Sequence, residues 1–292
     1  MLNVNLNLYR TFLVVADSKS LTDASNKLNI SVPAISKSIK QLEDYLGTIL
    51  FYRDNGMRLT AAGKDFYNHI DEAFSNIDLG EKILLQKNDI ANGEIIIGCP
   101  SHITNFYLMD FIEKVTSDYP NLKVKIISGP KTNGLIELLN NHKIDFIIDS
   151  SKLNIDDKYY VVEKIKELSH ILISKEPLKI NNESELERFT YILPLEYTTT
   201  MKNLVDCFKK HNIEMKNIKQ LDVTETRINA VKRNMGLGYV FKDAVKEELK
   251  NKELYKVEIP FKLPSATLNL IYLKGQLTKI DKEFIKHYLK TS

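Results

Sequence analysis

Cysteine is scarce: Cys99 and Cys207 are the only two, and they lie far apart in the chain. A disulfide-stapled secreted fold needs more, and a thiolate metal site needs closer spacing. Both are expected to be buried, inert thiols that behave as small hydrophobes. No apolar run reaches the ~18 residues of a membrane span. Met1 to Arg10 lacks a basic patch followed by an apolar stretch, so no secretory leader is expected there. The cytoplasm is the expected compartment. The six histidines (His69, His102, His142, His170, His211, His287) show no metal-ligand spacing. Neither a phosphate-cradling glycine loop nor a nucleophile elbow is present. Gly236-Leu237-Gly238 lacks a third glycine and precedes a strand pattern instead of following one. An enzyme is therefore disfavoured, and no metal or cofactor is expected. Charge of one sign is also lacking, since the formal net charge is only +3. A sequence-blind DNA binder relies almost wholly on neutralising phosphates, so this modest excess argues against one.

What is present is a chain of 292 residues with ordinary globular composition, 43% hydrophobic and 27% charged. That length predicts two or three folding units. Most of the small net positive charge falls in residues 1–60, where seven basic groups stand against five acidic ones. Three helical patterns follow one another there. Leu8, Phe12, Val15 and Ala16 recur at spacings of three and four. Ser20 can cap a second helix whose inner face is Leu21, Ala24 and Leu28, and small Ala24 and Ser25 allow close approach. Asn29 and Ile30 form the turn, with Asn29 tolerating a left-handed backbone and Ile30 expected to plug the space between helices. Ser31 caps the third helix, and Pro33 sits in its first turn, where a missing amide is harmless. Ile35, Ile39, Leu42 and Leu46 form its buried stripe. Val32, Ser36, Lys37, Lys40 and Gln41 lie on other faces, suited to phosphates and base edges in a major groove.

A plain three-helix bundle would carry the same polar residues merely solvated. The next segment argues otherwise. Gly47 ends the helix, Leu50-Phe51-Tyr52-Arg53 reads as a strand, Asp54-Asn55-Gly56 as a turn and Met57-Arg58-Leu59 as a return strand. A helix-turn-helix followed by a hairpin is a winged helix, and Arg53 and Arg58 are placed to grip phosphates or enter a minor groove. The run Ser20-Leu21-Thr22-Asp23-Ala24-Ser25-Asn26-Lys27-Leu28, then Ser31-Val32-Pro33-Ala34-Ile35-Ser36, Leu42-Glu43, Leu46-Gly47, Leu50-Phe51, Arg53 and Leu59-Thr60-Ala61-Ala62-Gly63 resembles the LysR-type transcriptional regulators, in order and spacing. The family often has glutamine where this chain has Val32, which removes a base-edge hydrogen bond and leaves apolar contact with a thymine methyl. Ser25 replaces a second alanine. The resemblance implies that Ser31, Val32, Pro33, Ser36, Lys37, Lys40, Arg53 and Arg58 read double-stranded DNA.

Leu59, Ala62, Phe66, Ile70, Ala73, Ile77 and Leu84, with Gly80 in the remaining slot, approximate a heptad seam. About 26 helical residues would span roughly 39 Å. Such a stripe is expected to be a dimerisation helix, the alternative being packing on the chain's own C-terminal domain. Beyond Asn92-Gly93, strand patterns (Glu94–Gly98, 123–127, 144–148) alternate with helical ones (103–118, 135–141), predicting a largely parallel sheet. A second such unit has strands at 170–174, 190–193, 218–223 and 237–241, followed by a strand at 267–273 and a helix at 280–290. The expected organisation is a winged helix-turn-helix domain at 1–60, an all-α reader with a long linker helix at 61–90, and an α/β two-lobed effector domain at 91–292. Its lobe I comprises 91–164 and 268–292, and its lobe II 165–267.

Two such lobes resemble the effector domain of the same family, akin to periplasmic binding proteins. Ligands in these sheets bind beyond the carboxyl ends of strands. Ser101, His102, Ser128, Thr199, Thr200, Thr224 and Glu225 occupy such places. Hydroxyls at helix starts serve equally as caps, and the two roles look alike in sequence. The resemblance singles out Ser101 and Thr200. Free amides at helix starts favour a small carboxylate, whereas Glu225 would grip an amine, so a ligand carrying both charges would satisfy both. The resemblance further implies a dimer or dimer of dimers, contact with RNA polymerase, and no membrane partner. Some relatives switch through a cysteine pair, but here only Cys207 lies in the relevant lobe.

Overall fold

The computed structural model describes residues 5–52, 57–85, 93–128, 132–151, 155–196 and 198–289. It divides into two compact units, Met1–Leu84 and Leu85–Ser292.

In the first unit, α1 (Leu6–Ala16), α2 (Leu21–Leu28) and α3 (Val32–Leu46) form where the apolar spacing predicts them. Their ends are set by local chemistry. The Ser20 hydroxyl accepts from the Asp23 amide at 3.1 Å, and Asn29 closes α2 at φ 54°. The Ser31 hydroxyl accepts from the Ala34 amide at 3.4 Å, and Gly47 ends α3 at φ 67°. Phe12, Ala24, Ile35, Ile39, Leu42, Leu50 and Phe51 make the core. Ile30 does not plug it. Its side chain is 39% exposed, and the Ser25 hydroxyl instead closes the turn by donating to the Ile30 carbonyl at 2.6 Å.

The wing is a short antiparallel pair, β1 (Phe51–Tyr52) and β2 (Arg58–Leu59). Arg53 and the expected turn Asp54-Asn55-Gly56 lie outside the described residues. The buried Glu43 carboxylate accepts from the amides of Leu50 and Phe51 at 2.8 and 3.2 Å, which ties α3 to the wing. The helix α4 (Ala61–Leu85) then starts at Thr60. The Thr60 hydroxyl donates to the Ile49 carbonyl at 2.8 Å and accepts from the Gly63 amide at 2.9 Å. So anchored, α4 sends Phe66 into the aromatic core, with ring centroids 5.2 Å from Phe12 and 5.8 Å from Tyr9. Ile70 and Phe74 follow one and two turns later. The expected single seam is thus two faces. Phe66 and Ile70 pack on the chain's own winged domain, whereas Ala73, Ile77, Gly80 and Leu84 face outward, Leu84 being 74% exposed.

The second unit holds β3 (Glu94–Gly98), α5 (Ser101–Ile103), a π turn at Thr104–Leu108, α6 (Met109–Asp118), β4 (Lys123–Ile127), α7 (Thr132–Asn140) and β5 (Phe146–Asp149). The long β6 (Tyr160–Ser174) leads to β7 (Thr190–Leu193), α8 (Thr199–Lys210), β8 (Asn217–Gln220), α9 (Thr224–Lys232) and β9 (Leu237–Phe241). The chain closes with α10 (Lys246–Lys250), β10 (Tyr255–Lys256), β11 (Ser265–Leu273) and α11 (Lys279–Phe284), which runs into a π turn at Ile285–Leu289.

The sheet runs β4-β3-β5-β11-β6-β9-β7-β8. It is less parallel than the local pattern predicts. Two parallel blocks, β4-β3-β5 and β8-β7-β9, are joined through antiparallel β11 and β6. The strand expected at 170–174 is only the end of β6. Nine of its first ten residues pair with β11, Ile165 falling at a bulge, and His170 to Ile173 pair with β9, so one strand serves both lobes. Separate apolar cores fill the two faces of each lobe, as buried strands flanked by helices require.

Candidate nucleic-acid interface and ligand site

The apolar stripe of α3 fixes what its other faces present. Ile35, Ile39 and Leu42 are fully buried, which turns Ser36, Lys37 and Lys40 to solvent. Ser31 and Pro33 are exposed at the start of the helix, and Val32 is half-buried there. Neither Lys37 nor Lys40 has an ion-pair partner among the described residues, in contrast to Lys27, which pairs with Asp23 at 3.0 Å. Exposed ammonium groups with no ion-pair partner among the described residues suit a polyanion. On the wing, Arg58 is exposed, and its guanidinium carbon lies 5.9 Å from the centroid of the Tyr52 ring. Such a contact stiffens the long side chain in a reaching position.

In the second unit a cavity of about 320 Å³ opens between the helical run from Ser101 and helix α9. His102, Asn105 and Phe106 line one side, and Thr224, Glu225 and Glu248 the other. Of the seven residues expected to contact ligand, it brings together His102, Thr224 and Glu225. Ser101, Ser128, Thr199 and Thr200 do not line it. Ser101 and Thr199 are exposed, and Thr200 is half-buried. The Ser128 hydroxyl donates to the Cys99 carbonyl at 3.0 Å, and α8 is capped by Thr198. Thr224 is no cap either. It is buried, and its hydroxyl accepts from Arg227 Nη2 at 2.8 Å.

Arg227 escaped the sequence reading, although a hydroxyl residue three positions before an arginine at a helix start is a legible pair. It is only 7% exposed and donates Nη1 to the carbonyls of Leu221 and Asp222, at 2.8 and 2.7 Å. Its Nε has no hydrogen-bond partner among the described residues. Burial lowers its pKa to about 10, which leaves it charged at neutral pH. Also missed was a column of rings. His102 stacks on Phe241 at 6.1 Å and 7°, while His170 stacks on Phe241 at 4.1 Å and on Tyr239 at 4.7 Å. Burial lowers the pKa of His102, and it drives that of His170 down to about 4. The imidazoles are therefore neutral, aromatic walls. Burial pushes the Cys99 thiol up to about 12 and raises Cys207 as well, so neither is a reactive thiolate. No cluster of His, Cys, Asp or Glu among the described residues is arranged to hold a metal ion. Nor is any helix among them long and apolar enough to cross a membrane.

Comparison with known proteins matches both units. Residues 6–64 fit the family model of the bacterial regulatory helix-turn-helix protein, lysR family, and residues 88–291 fit the LysR substrate binding domain. The HTH-type transcriptional regulator YoaU of Bacillus subtilis is 26% identical over 241 residues, covering 81% of this chain and 82% of that protein. The HTH-type transcriptional regulator CzcR of Bacillus anthracis is 26% identical over 283 residues, covering 94% of this chain and 93% of its own length. Among solved structures, a full-length OxyR variant from Pseudomonas aeruginosa superposes with a TM-score of 0.72 at 15% identity, covering 100% of this chain and 96% of that one. Full-length CbnR in complex with its target DNA gives a TM-score of 0.68 at 15% identity, covering 98% and 99%.

Proposed function

This chain belongs to the LysR family of DNA-binding transcriptional regulators, and on that premise we propose how its two units divide the work. The winged unit reads double-stranded DNA, with α3 in the major groove. Ser31, Val32, Pro33, Ser36, Lys37 and Lys40 contact bases and phosphates there, and Arg53 and Arg58 of the wing hold the flanking backbone. The observation that carries this reading is the pair of exposed ammonium groups, Lys37 and Lys40, with no ion-pair partner among the described residues, on one side of a helix whose opposite side is fully buried. Val32 at the first helical position favours a thymine methyl over a hydrogen-bonded base edge. The outward residues Ala73, Ile77, Gly80 and Leu84 of α4 pair with a second copy, giving two reading heads for two half-sites, and dimers associate further into tetramers. The functional boundaries fall near residues 60 and 90, and the protein works in the cytoplasm beside RNA polymerase.

The C-terminal unit binds a small carboxylate or amino-acid-like effector between its lobes. His102, Thr224 and Glu225 contact it at the cavity. Ser101, Ser128, Thr199 and Thr200, which follow the carboxyl ends of parallel strands, contact it along the crevice. Effector binding shifts DNA affinity only through a difference in its affinity for two lobe arrangements.

Lys37→Ala tests the interface. On an operator fragment recovered by genomic footprinting, affinity should fall about tenfold, and the slope of log affinity against log salt should shrink by about 0.9. Unchanged affinity and slope would remove α3 from the interface.

A further inference from the structure

We propose that the cavity beside α9 takes a small ligand bearing an ammonium or guanidinium group, which displaces Asn105 from Glu225. The proposal rests on the reading of this unit as effector-binding, and of the two effector classes named above it selects the amine-bearing one.

The sign of the charge comes first. Two carboxylates, Glu225 and Glu248, line the cavity, and no lysine or arginine is among the described residues that do. Two cations, Lys232 and Arg227, lie nearby without lining it. Lys232 is shared between Glu248 at 3.1 Å and Glu253 at 2.8 Å, so one ammonium faces two carboxylates. Arg227 turns its guanidinium to the carbonyls of Leu221 and Asp222 and to the Thr224 hydroxyl. His102 is held neutral by burial. An anion entering this cavity would meet two carboxylates and no cation among the described lining residues. Glu248 is already paired with Lys232, so a cation's gain lies at Glu225, since charge-assisted hydrogen bonds to a carboxylate are about twice as strong as neutral ones.

The second observation concerns Glu225 itself. Its Oε1 accepts from Asn105 Nδ2 at 2.5 Å, across from the first lobe to the second. A neutral amide is a weaker partner for a carboxylate than an ammonium, so a cationic ligand competes with it favourably. Asn105 and Phe106 both lie in the π turn Thr104–Leu108, a local widening of the helix that recurs at functional sites. Phe106, Ile228 and Ala244 supply an apolar wall suited to a short methylene chain, while Asn229 adds an amide. At about 320 Å³ the space fits a small metabolite. Because the walls come from both lobes, replacing the Asn105–Glu225 bond with a ligand ties occupancy to lobe arrangement.

The test is calorimetric titration of the full chain with four compounds of similar length: putrescine, agmatine, γ-aminobutyrate and succinate. Putrescine, agmatine or γ-aminobutyrate should bind and succinate should not. Glu225→Gln should weaken that binding about tenfold or more. Asn105→Ala, which frees Glu225, should strengthen it. Thermal unfolding of both variants checks that they remain folded. Binding of succinate with silence from the amines overturns the charge assignment and leaves the effector reading standing. Amine binding unaffected by Glu225→Gln overturns the location. Silence from all four, with no rise in unfolding temperature at millimolar ligand, overturns both the inference and the effector reading at this cavity.

Discussion

Gly63→Ala should strongly destabilise the reading head. A Cβ at this position would lie 2.2 Å from the Leu50 carbonyl oxygen and 3.1 Å from Leu59 Cδ2. The first of these is backbone and cannot rotate aside. That same carbonyl accepts from the Thr60 amide at 2.9 Å, so relieving the clash pulls apart the joint between wing and α4. Alanine gains about 1 kcal/mol in helix propensity, which does not offset the overpacking. A net loss of about 2–3 kcal/mol is expected, a large fraction of a small domain's stability. Thermal unfolding followed by helix circular dichroism should show the winged unit melting roughly 10 °C or more below the parent, with operator binding lost in parallel. Gly134→Ala in α7 is the control, since nothing lies within 4 Å of a Cβ there and no stability should be lost. Equal unfolding temperatures for Gly63→Ala and the parent would show that the joint gives way freely.

Acid should weaken the effector unit through His170. The side chain is 6% exposed, and burial holds its pKa at about 4 against an ordinary 6.5. His102 and Arg227 nearby push the same way, whereas the bond from Nδ1 to the Pro264 carbonyl at 3.0 Å opposes them. The sign follows from proton counting. Below pH 6.5 the unfolded chain takes up a proton that the folded chain refuses, so the contribution is whole above 6.5 and drains away as pH falls toward 4. Across that window it amounts to about 3 kcal/mol. Urea unfolding of the second unit at pH 7, 5.5 and 4.5 should show the decline. His170→Phe keeps a ring between Tyr239 and Phe241 and should flatten it, at a cost of about 1 kcal/mol for the lost carbonyl bond. A decline equally steep in the variant would place its origin in other groups.

Both effects rest on contacts that a sequence displays unequally. The three reader helices were legible because their signals are local: Ser20 and Ser31 before apolar stripes, Pro33 in a first turn, Asn29 and Gly47 at the ends. Gly63 stood in the quoted run without a reason, because its reason is a carbonyl thirteen residues earlier. Ile30 was misplaced since an apolar residue in a turn looks alike whether tucked in or turned out. The stripe of α4 had the right period, yet period alone does not say that Phe66 would meet Phe12 while Leu84 faces outward. In the second unit, strand positions were visible but strand direction was not. Pairing of β6 with β11 is a contact across a hundred residues, and alternation of apolar residues does not encode it. The ligand side was legible only as hydroxyl and charged residues at helix starts. Which of them share a cavity depends on how far each side chain turns, and Arg227 and the ring column emerged only when the lobes met.

Strand β6 carries a mechanical consequence. A single unbroken segment of fifteen residues is built into both lobes, hydrogen-bonded first to β11 and then to β9. A hinge made of loops lets two bodies swing freely; a strand shared by both behaves as a torsion bar. Opening it like a book would break ladder bonds worth about 1 kcal/mol each, whereas adding a few degrees of twist per residue breaks none. On the proposed effector reading, occupancy of the ligand site would leave this unit as a small rotation, and the angle between the lobes would be the quantity in which the signal is written.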